Sequence, residues 1–249
     1  MKDTVPGGEV WGMNRRGRGM VGLVWACGWV MAAAPVAVGQ SMIGFSKSYS
    51  VGTTLGDVED PPRVFEAIVN GSGIARLTEV KVGLKLVGAS SGGGFASEMV
   101  VMLTKDLTRT SVLVNQVGVG VGSGATSVIG YGYDGWDVTF ADNAVRGDVH
   151  GYDVGSGVMT GEIAPDGRAA PGDVLRPWTL SVMNDLTGDG RWCLSVADLG
   201  VGGVMRLESW SLMMKGWTPV PEPEVWAGVT AVGLVGWGLV RRHRKASGA

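Results

Sequence analysis

Arg191–Met213 reads RWCLSVADLGVGGVMRLESWSLM, and the fold is decided by how its two halves are read. Arg191 to Ala197 alternates, with Trp192, Leu194 and Val196 on one side, as a half-buried strand does. Asp198 to Gly203 (DLGVGG) is a turn, and Arg206 to Met213 returns with Leu207, Trp210 and Leu212 apolar. Ahead of this pair, Asn184 to Gly190 (NDLTGDG) reads as a turn and Trp178 to Met183 as a further strand.

The same grammar continues upstream. Glu79 to Leu86 (EVKVGLKL) alternates strictly, with Val80, Val82, Leu84 and Leu86 facing one way. Ala89 to Gly94 turns the chain, Ser97 to Leu103 returns it, and Ser111 to Asn115 and Trp136 to Phe140 are further strands. Asp142 to Gly161 has no sustained period and reads as a long surface loop. Between Gln40 and Val220 no segment keeps a 3.6-residue period beyond two turns. Short strands divided by turn clusters, in a chain with 43 glycines, predict an all-β antiparallel sandwich of jelly-roll type.

Composition narrows the function. The span Gln40 to Val220 carries 13 Lys+Arg against 19 Asp+Glu, a net charge of −6, and is large enough for one domain with a substantial core. An acidic body has no electrostatic attraction for phosphate backbones, so nucleic acid is not an expected partner. Its sole cysteine, Cys193, excludes an internal disulfide and cysteine-rich zinc sites.

The stretch from Gly188 to Leu212 is similar to the closing hairpin of P/Homo B domains. There a turn precedes a Gly-x-Trp-x-Leu-x-Val-x-Asp strand, and a Leu-x-x-Trp-x-Leu strand ends the domain. Gly190, Trp192, Leu194, Val196, Asp198, Leu207, Trp210 and Leu212 carry the match. Asp60-Pro61, Val138 to Ala144 (VTFADNA) and the loop holding Pro165 and Pro171 fit the same plan, so the resemblance runs from about Phe45 to Gly216. The histidine common in the family after its early central strands has no counterpart here. The resemblance implies a jelly-roll β-sandwich that sits beside subtilisin-like catalytic domains, as in proprotein convertases, and stabilises them without catalytic residues of its own. A core-packing role for Trp192 and Trp210 is compatible with it.

Three features invite a chemical reading. Gly88-Ala89-Ser90-Ser91-Gly92 matches the nucleophile-elbow pattern, but no helix follows, and His150 is the one histidine of the body available as a base. Gly120 to Ala125 resembles a dinucleotide loop, again without a helix to place under a pyrophosphate. Asp185, Asp189 and Asp198 border neighbouring turns, where converging oxygens would suit Ca²⁺, although the spacing is not that of an EF-hand and Asp is an ordinary turn former. No catalytic residue and no other cofactor is expected.

The two ends read as addresses. Arg15, Arg16 and Arg18 followed by the apolar Met20 to Ala34 form a signal peptide, with cleavage expected after Ala37-Val38-Gly39 and before Gln40. Met13 stands just ahead of the arginines as an alternative start. Cys27 is read as a small apolar residue of the signal helix rather than a lipidated one, because Trp25 stands where a small residue is needed. At the other end, Pro221-Glu222-Pro223 precedes an apolar run from Val225 to Val240, closed by Arg241, Arg242, Arg244 and Lys245. As a helix those 16 residues span about 24 Å, short for a hydrocarbon core ~30 Å thick. An ordinary C-terminal transmembrane anchor is one reading. The order of parts resembles the PEP-CTERM sorting signal, which implies export by a Gram-negative exopolysaccharide producer and cutting of the tail by exosortase.

The expected organisation is therefore a signal peptide over 1–39, a sandwich over 40–217 and a sorting tail over 218–249. The expected protein is non-catalytic, membrane-held and then released to the surface or matrix, with exopolysaccharide or a protease as candidate partner. An accessory domain acting with a separate subtilisin-like protease is the alternative.

Overall fold

The structure is a computed structural model that describes residues 38–56, 60–88, 98–119, 134–151, 157–200 and 204–221, together with Leu234 and Trp237. In chain order the strands are β1 (Val38–Thr54), β2 (Arg63–Val69), β3 (Arg76–Gly88), β4 (Met99–Lys105), β5 (Arg109–Asn115), β6 (Gly135–Phe140), β7 (Val158–Ile163), β8 (Gly190–Asp198) and β9 (Met205–Pro221). They form two sheets, β1-β9-β3-β6-β7 and β2-β8-β4-β5, with the apolar core between them. The all-β sandwich expected from the alternating runs is what the chain builds.

The stretch that opened the reading takes the key positions. β8 lies between β2 and β4, and β9 lies between β1 and β3, so each of the last two strands is interior to its own sheet; they face each other across the core instead of pairing, which corrects the expected closing hairpin. On β8, Trp192, Leu194 and Val196 are all buried. On β9 the spacing of Leu207, Trp210 and Leu212 is three and then two, which no regular strand allows on one face. Here β9 carries one extra residue: Lys85 pairs with Ser209 but Leu86 with Leu207, leaving Glu208 as a bulge. β1 answers with its own irregularity between Ser50 and Thr53. The bulge puts Leu207, Trp210 and Leu212 all in the core.

Trp192 is fully buried and donates its indole N–H to the Gly188 carbonyl at 3.1 Å. Lys105, also buried, sets its Nζ 5.4 Å from the centre of the Trp192 ring, bonds the Asp189 carbonyl at 2.9 Å and pairs with the Asp106 carboxylate. On the opposite sheet Tyr49 stacks on Trp210 with ring centres 4.6 Å apart. β3 matches its sequence pattern, with Val80, Val82, Leu84 and Leu86 in the core.

Three expectations need correction. Trp178 to Met183 is not a strand: Leu180–Met183 is a 3₁₀ turn. Its buried residues, Leu180 and Met183, stand three apart, the period of that turn, and Asp142 accepts the N–H groups of Leu180 and Ser181 at 2.9 and 2.6 Å. The supposed surface loop Asp142 to Gly161 contains most of the crossover to β7, which pairs parallel to β6, so the sheets are not wholly antiparallel. β7 escaped notice because the residue between buried Met159 and Ile163 on its inner face is Gly161. Arg146 crosses there, its Nη1 2.8 Å from where a Cβ would stand. Finally, β1 and β2 occupy a stretch in which no strand was singled out.

Among the described residues no helix is long and apolar enough to cross a membrane. The signal segment and most of the tail lie outside the described residues, as do Glu222, Pro223, Arg241 and Arg242. Leu234 and Trp237 are helical and exposed.

Candidate functional site

Among the described residues a cluster of charged side chains is buried. Asp166 and His150 are buried, and Asp166 Oδ2 lies 2.8 Å from His150 Nε2. The Gly118 N–H donates to His150 Nδ1 at 3.1 Å. A ring nitrogen that accepts does not carry a proton, so the geometry assigns the tautomer with Nε2–H donating to the carboxylate. Arg168 donates to Asp166 Oδ1 at 2.9 Å, to Asp148 Oδ2 at 2.8 Å and to the Asp173 carbonyl at 2.7 Å. Arg176 bonds the Asp166 carbonyl at 2.7 Å and the Pro165 carbonyl, and reaches Asp148 at 3.4 Å. Asp148 Oδ1 in turn accepts the N–H groups of His150 and Gly151 at 3.0 and 3.1 Å. Burial would raise the Asp148 carboxyl, but the hydrogen bond and charge of Arg168, with the charge of Arg176, outweigh it and hold the group below the ordinary carboxylate range.

This cluster ties segments that have no ladder of their own. The Asp166 and Gly167 N–H groups bond the Leu113 and Val112 carbonyls, and the Val112 N–H bonds the Trp178 carbonyl, so residues 166–178 cover the outer edge of β5. His150 is thus a buried positioning group with both nitrogens engaged, not a loop histidine facing substrate. That removes the base from the elbow reading; Ser90 itself, like Gly120 to Ala125, lies outside the described residues.

The three calcium candidates do not converge. Asp189 precedes β8 and Asp198 ends it; across nine residues of strand that is roughly 26 Å, far beyond a shared cation. Asp189 accepts the N–H groups of Gly71 and Ser72 at 2.9 and 2.7 Å, and its bonds to Ser72 and Gly71 hold its carboxyl low. Asp185 takes the Arg76 guanidinium at 2.6 Å. Asp198 closes a turn on the Gly200 N–H at 3.2 Å. Asp185 and Asp189 thus hold the distant segment 71–76 and Asp198 a local turn, and no group of three or more His, Cys, Asp or Glu side chains is gathered for a metal among the described residues.

What the molecule offers outward is the far face of the five-stranded sheet. Register places Ser46, Ser48 and Ser50 of β1 beside Met213, Ser211 and Ser209 of β9, and those beside Lys81, Gly83 and Lys85 of β3. Thr139 and Asp137 of β6 continue the rows. Three shallow depressions follow one another along β1, of ≈410 Å³ at Gly44–Ser46, ≈190 Å³ at Ser48 and ≈400 Å³ at Ser50–Gly52. The middle one exists because residue 83 is glycine: a Cβ there would stand 2.3 Å from Ser211 Oγ. The middle of the trough is hydroxyls and glycine, its Gly44–Ser46 end is lined by Phe45 and Met213, and its margin is paired charge: Lys81 with Glu162 at 2.7 Å, and Lys215 with Glu79 at 2.8 Å. Lys215 beside Glu79 lowers that carboxyl, and Glu162 beside Lys81 raises that amine.

No protein-family model and no curated protein matches the sequence. Among solved structures, the chain is similar to the serine protease of Aeromonas sobria, with a TM-score of 0.40 at 13% identity over 71% of this chain and 27% of that one. It is similar also to a chain in the complex of that protease with the chaperone ORF2, with a TM-score of 0.38 at 14% identity over the same shares. The chain thus spans about a quarter of the length of the chains it matches, and likeness at this level carries no argument about activity.

Proposed function

We propose that this is an exported, non-catalytic β-sandwich module that binds a partner at the cell envelope or in the surrounding matrix. The supporting observation is where the patterned residues go. Trp192, Leu194, Val196, Leu207, Trp210 and Leu212 fill the core, and His150 is sealed inside an ion network. The far face of the large sheet presents a trough lined by serines, glycine and Met213 and flanked by paired charges, a surface suited to contact rather than bond-breaking. The ends supply the route: a cleaved signal peptide, then a tail of PEP-CTERM type processed by an exosortase-like enzyme, with exopolysaccharide as a candidate partner. Fractionating cells that express the chain with and without Val220 to Ala249 tests this. Truncation should abolish membrane or surface retention, and mass spectrometry of the retained wild type should find a trimmed C-terminus. Full-length chain with both ends intact in the cytosol would refute the reading.

A second reading, an accessory domain of P/Homo B type acting with a separate subtilisin-like protease, is supported by the residues of the closing stretch, which are buried on β8 and β9 in opposite sheets. Co-purification of such a protease with the chain, lost on mutation of the trough, would favour it over a matrix role.

A further inference from the structure

The fold pairs the residues at the inner edges of the two expected processing signals. β1 begins at Val38 and β9 ends at Pro221, and their register is Val38 with Pro221, Gly39 with Val220, Gln40 with Pro219 and Ser41 with Thr218. The expected signal-peptide cut, between Gly39 and Gln40, therefore falls inside the strand that holds the start of the Pro-Glu-Pro motif.

The orientation of β9 sharpens this. The Trp217 carbonyl accepts the Ala75 N–H at 2.9 Å, so Trp217 points its polar groups to the β3 side. Alternate residues of a strand do the same, so Pro219 and Pro221 face that side as well. β3 pairs no further than Trp217, through Arg76, and proline has no N–H to leave unsatisfied there. Thr218 and Val220 turn their N–H groups the other way, toward Ser41 and Gly39. Beyond Trp217 the C-terminal end of β9 is thus held by β1 alone among the described strands, in a two-stranded ribbon of a kind that is marginal in water.

We infer that N-terminal cleavage licenses C-terminal processing. Hydrolysis of the Gly39–Gln40 amide by a membrane signal peptidase, with water from solvent, carries Val38 and Gly39 away with the leader and leaves a new ammonium on Gln40. Val220 loses its partner. Val220 and Pro221 are then extended and without their β1 partners, the form in which a processing enzyme must bind a backbone. The inference rests on the export route proposed above.

Two substitutions at one position separate pairing from cutting. Gly39→Tyr places a bulky residue at the scissile junction and blocks the cut while leaving the strand able to pair. Gly39→Pro also blocks the cut but removes the N–H that faces Val220. Both are made in the full chain and isolated in detergent. Hydrogen exchange at the Val220 amide should be at least about fivefold faster in Gly39→Pro than in Gly39→Tyr, the factor set by one net hydrogen bond. In cells, the C-terminal cut should be delayed in Gly39→Tyr and restored in Gly39→Pro, with the leader attached in both. Equal exchange in the two variants, or wild-type C-terminal cutting of Gly39→Tyr, would overturn the coupling. An exchange difference with no C-terminal cut even in wild type would refute the sorting route, and processing order with it, while leaving the pairing intact.

Discussion

Asp166→Asn removes one charge from the buried network and almost nothing from its volume. In the wild type that carboxylate accepts from His150 Nε2 at 2.8 Å and from Arg168 Nη1 at 2.9 Å, with both partners buried. An amide offers one acceptor and two donors, so one of those contacts becomes donor against donor. Removing one partner of a buried ion pair costs about 3–5 kcal/mol. Arg168 keeps Asp148 and the Asp173 carbonyl, which places the expected loss near the lower bound, about 3 kcal/mol. With a urea slope of about 2 kcal/mol per molar, the unfolding midpoint should fall by about 1.5 M. Tryptophan fluorescence follows the transition, since Trp192 and Trp210 are core residues. The double variant Asp166→Asn, Arg168→Met should be more stable than the sum of the single losses implies, because the second change removes the charge stranded by the first. A midpoint shift under about 0.3 M in the single variant, or strict additivity in the double, would refute the claim that this network clamps the β5 edge.

Trp192→Ala should cost about 3–5 kcal/mol, and Trp192→Phe about 1–2 kcal/mol, the latter from the orphaned Gly188 carbonyl and the weakened face under Lys105; urea midpoints measure both. Deleting Ser211 should abolish the folded state, because Trp210 and Leu212 then stand next to each other and cannot both face inward, whereas deleting Glu208 removes the bulge, leaves Leu207 and Trp210 at the two-residue spacing of a regular strand and should keep the fold; near-ultraviolet circular dichroism distinguishes the two. Asp148 is held below its ordinary pKa in the fold, so its contribution is full above the unfolded value near 3.9 and is lost as pH falls through the lower folded value. Thermal melts from pH 5 to 2 should therefore show a steeper acid loss for wild type than for Asp148→Asn.

The legible parts of this chain were those where one physical demand acts alone. β3 and β8 must bury one face and wet or half-bury the other, and their alternation says so directly. β9 was legible in its apolar positions, but the Leu207–Trp210 gap of three does not announce a bulge, since it depends on β1 and β3 both yielding around Glu208. The turn at Leu180–Met183 was misread because Leu, Val and Met suit a strand until Asp142, some forty residues earlier, claims two successive N–H groups. The ion network was invisible for a related reason. Asp148, Asp166, Arg168 and Arg176 look like solvated loop charges, and only the fold brings them under cover. The one local hint was Asp148 two residues before the body's lone histidine, together with Asp166 two before Arg168. Asp189 and Asp198, read together as calcium candidates, stand at opposite ends of β8 with eight strand residues between them.

The order of the strands gives the closing stretch a role that its packing alone does not convey. Among the described strands, β4 with β5 forms a hairpin that can close locally, and β6 with β7 is joined by one crossover. Every other contact within the sheets runs through β8 or β9, or joins β3 to β6 across some fifty residues. β1 and β2 thus have no sheet partner until strands more than 120 residues downstream arrive. Loop-closure entropy must be met before such pairings stabilise anything, so the sandwich condenses late and from its C-terminal end. A chain of that kind stays unfolded until its last strands are available. The same topology explains why the residues most diagnostic in the sequence are Trp192, Leu194, Leu207, Trp210 and Leu212: on two central strands each faces neighbours on both sides, and little else can be placed there.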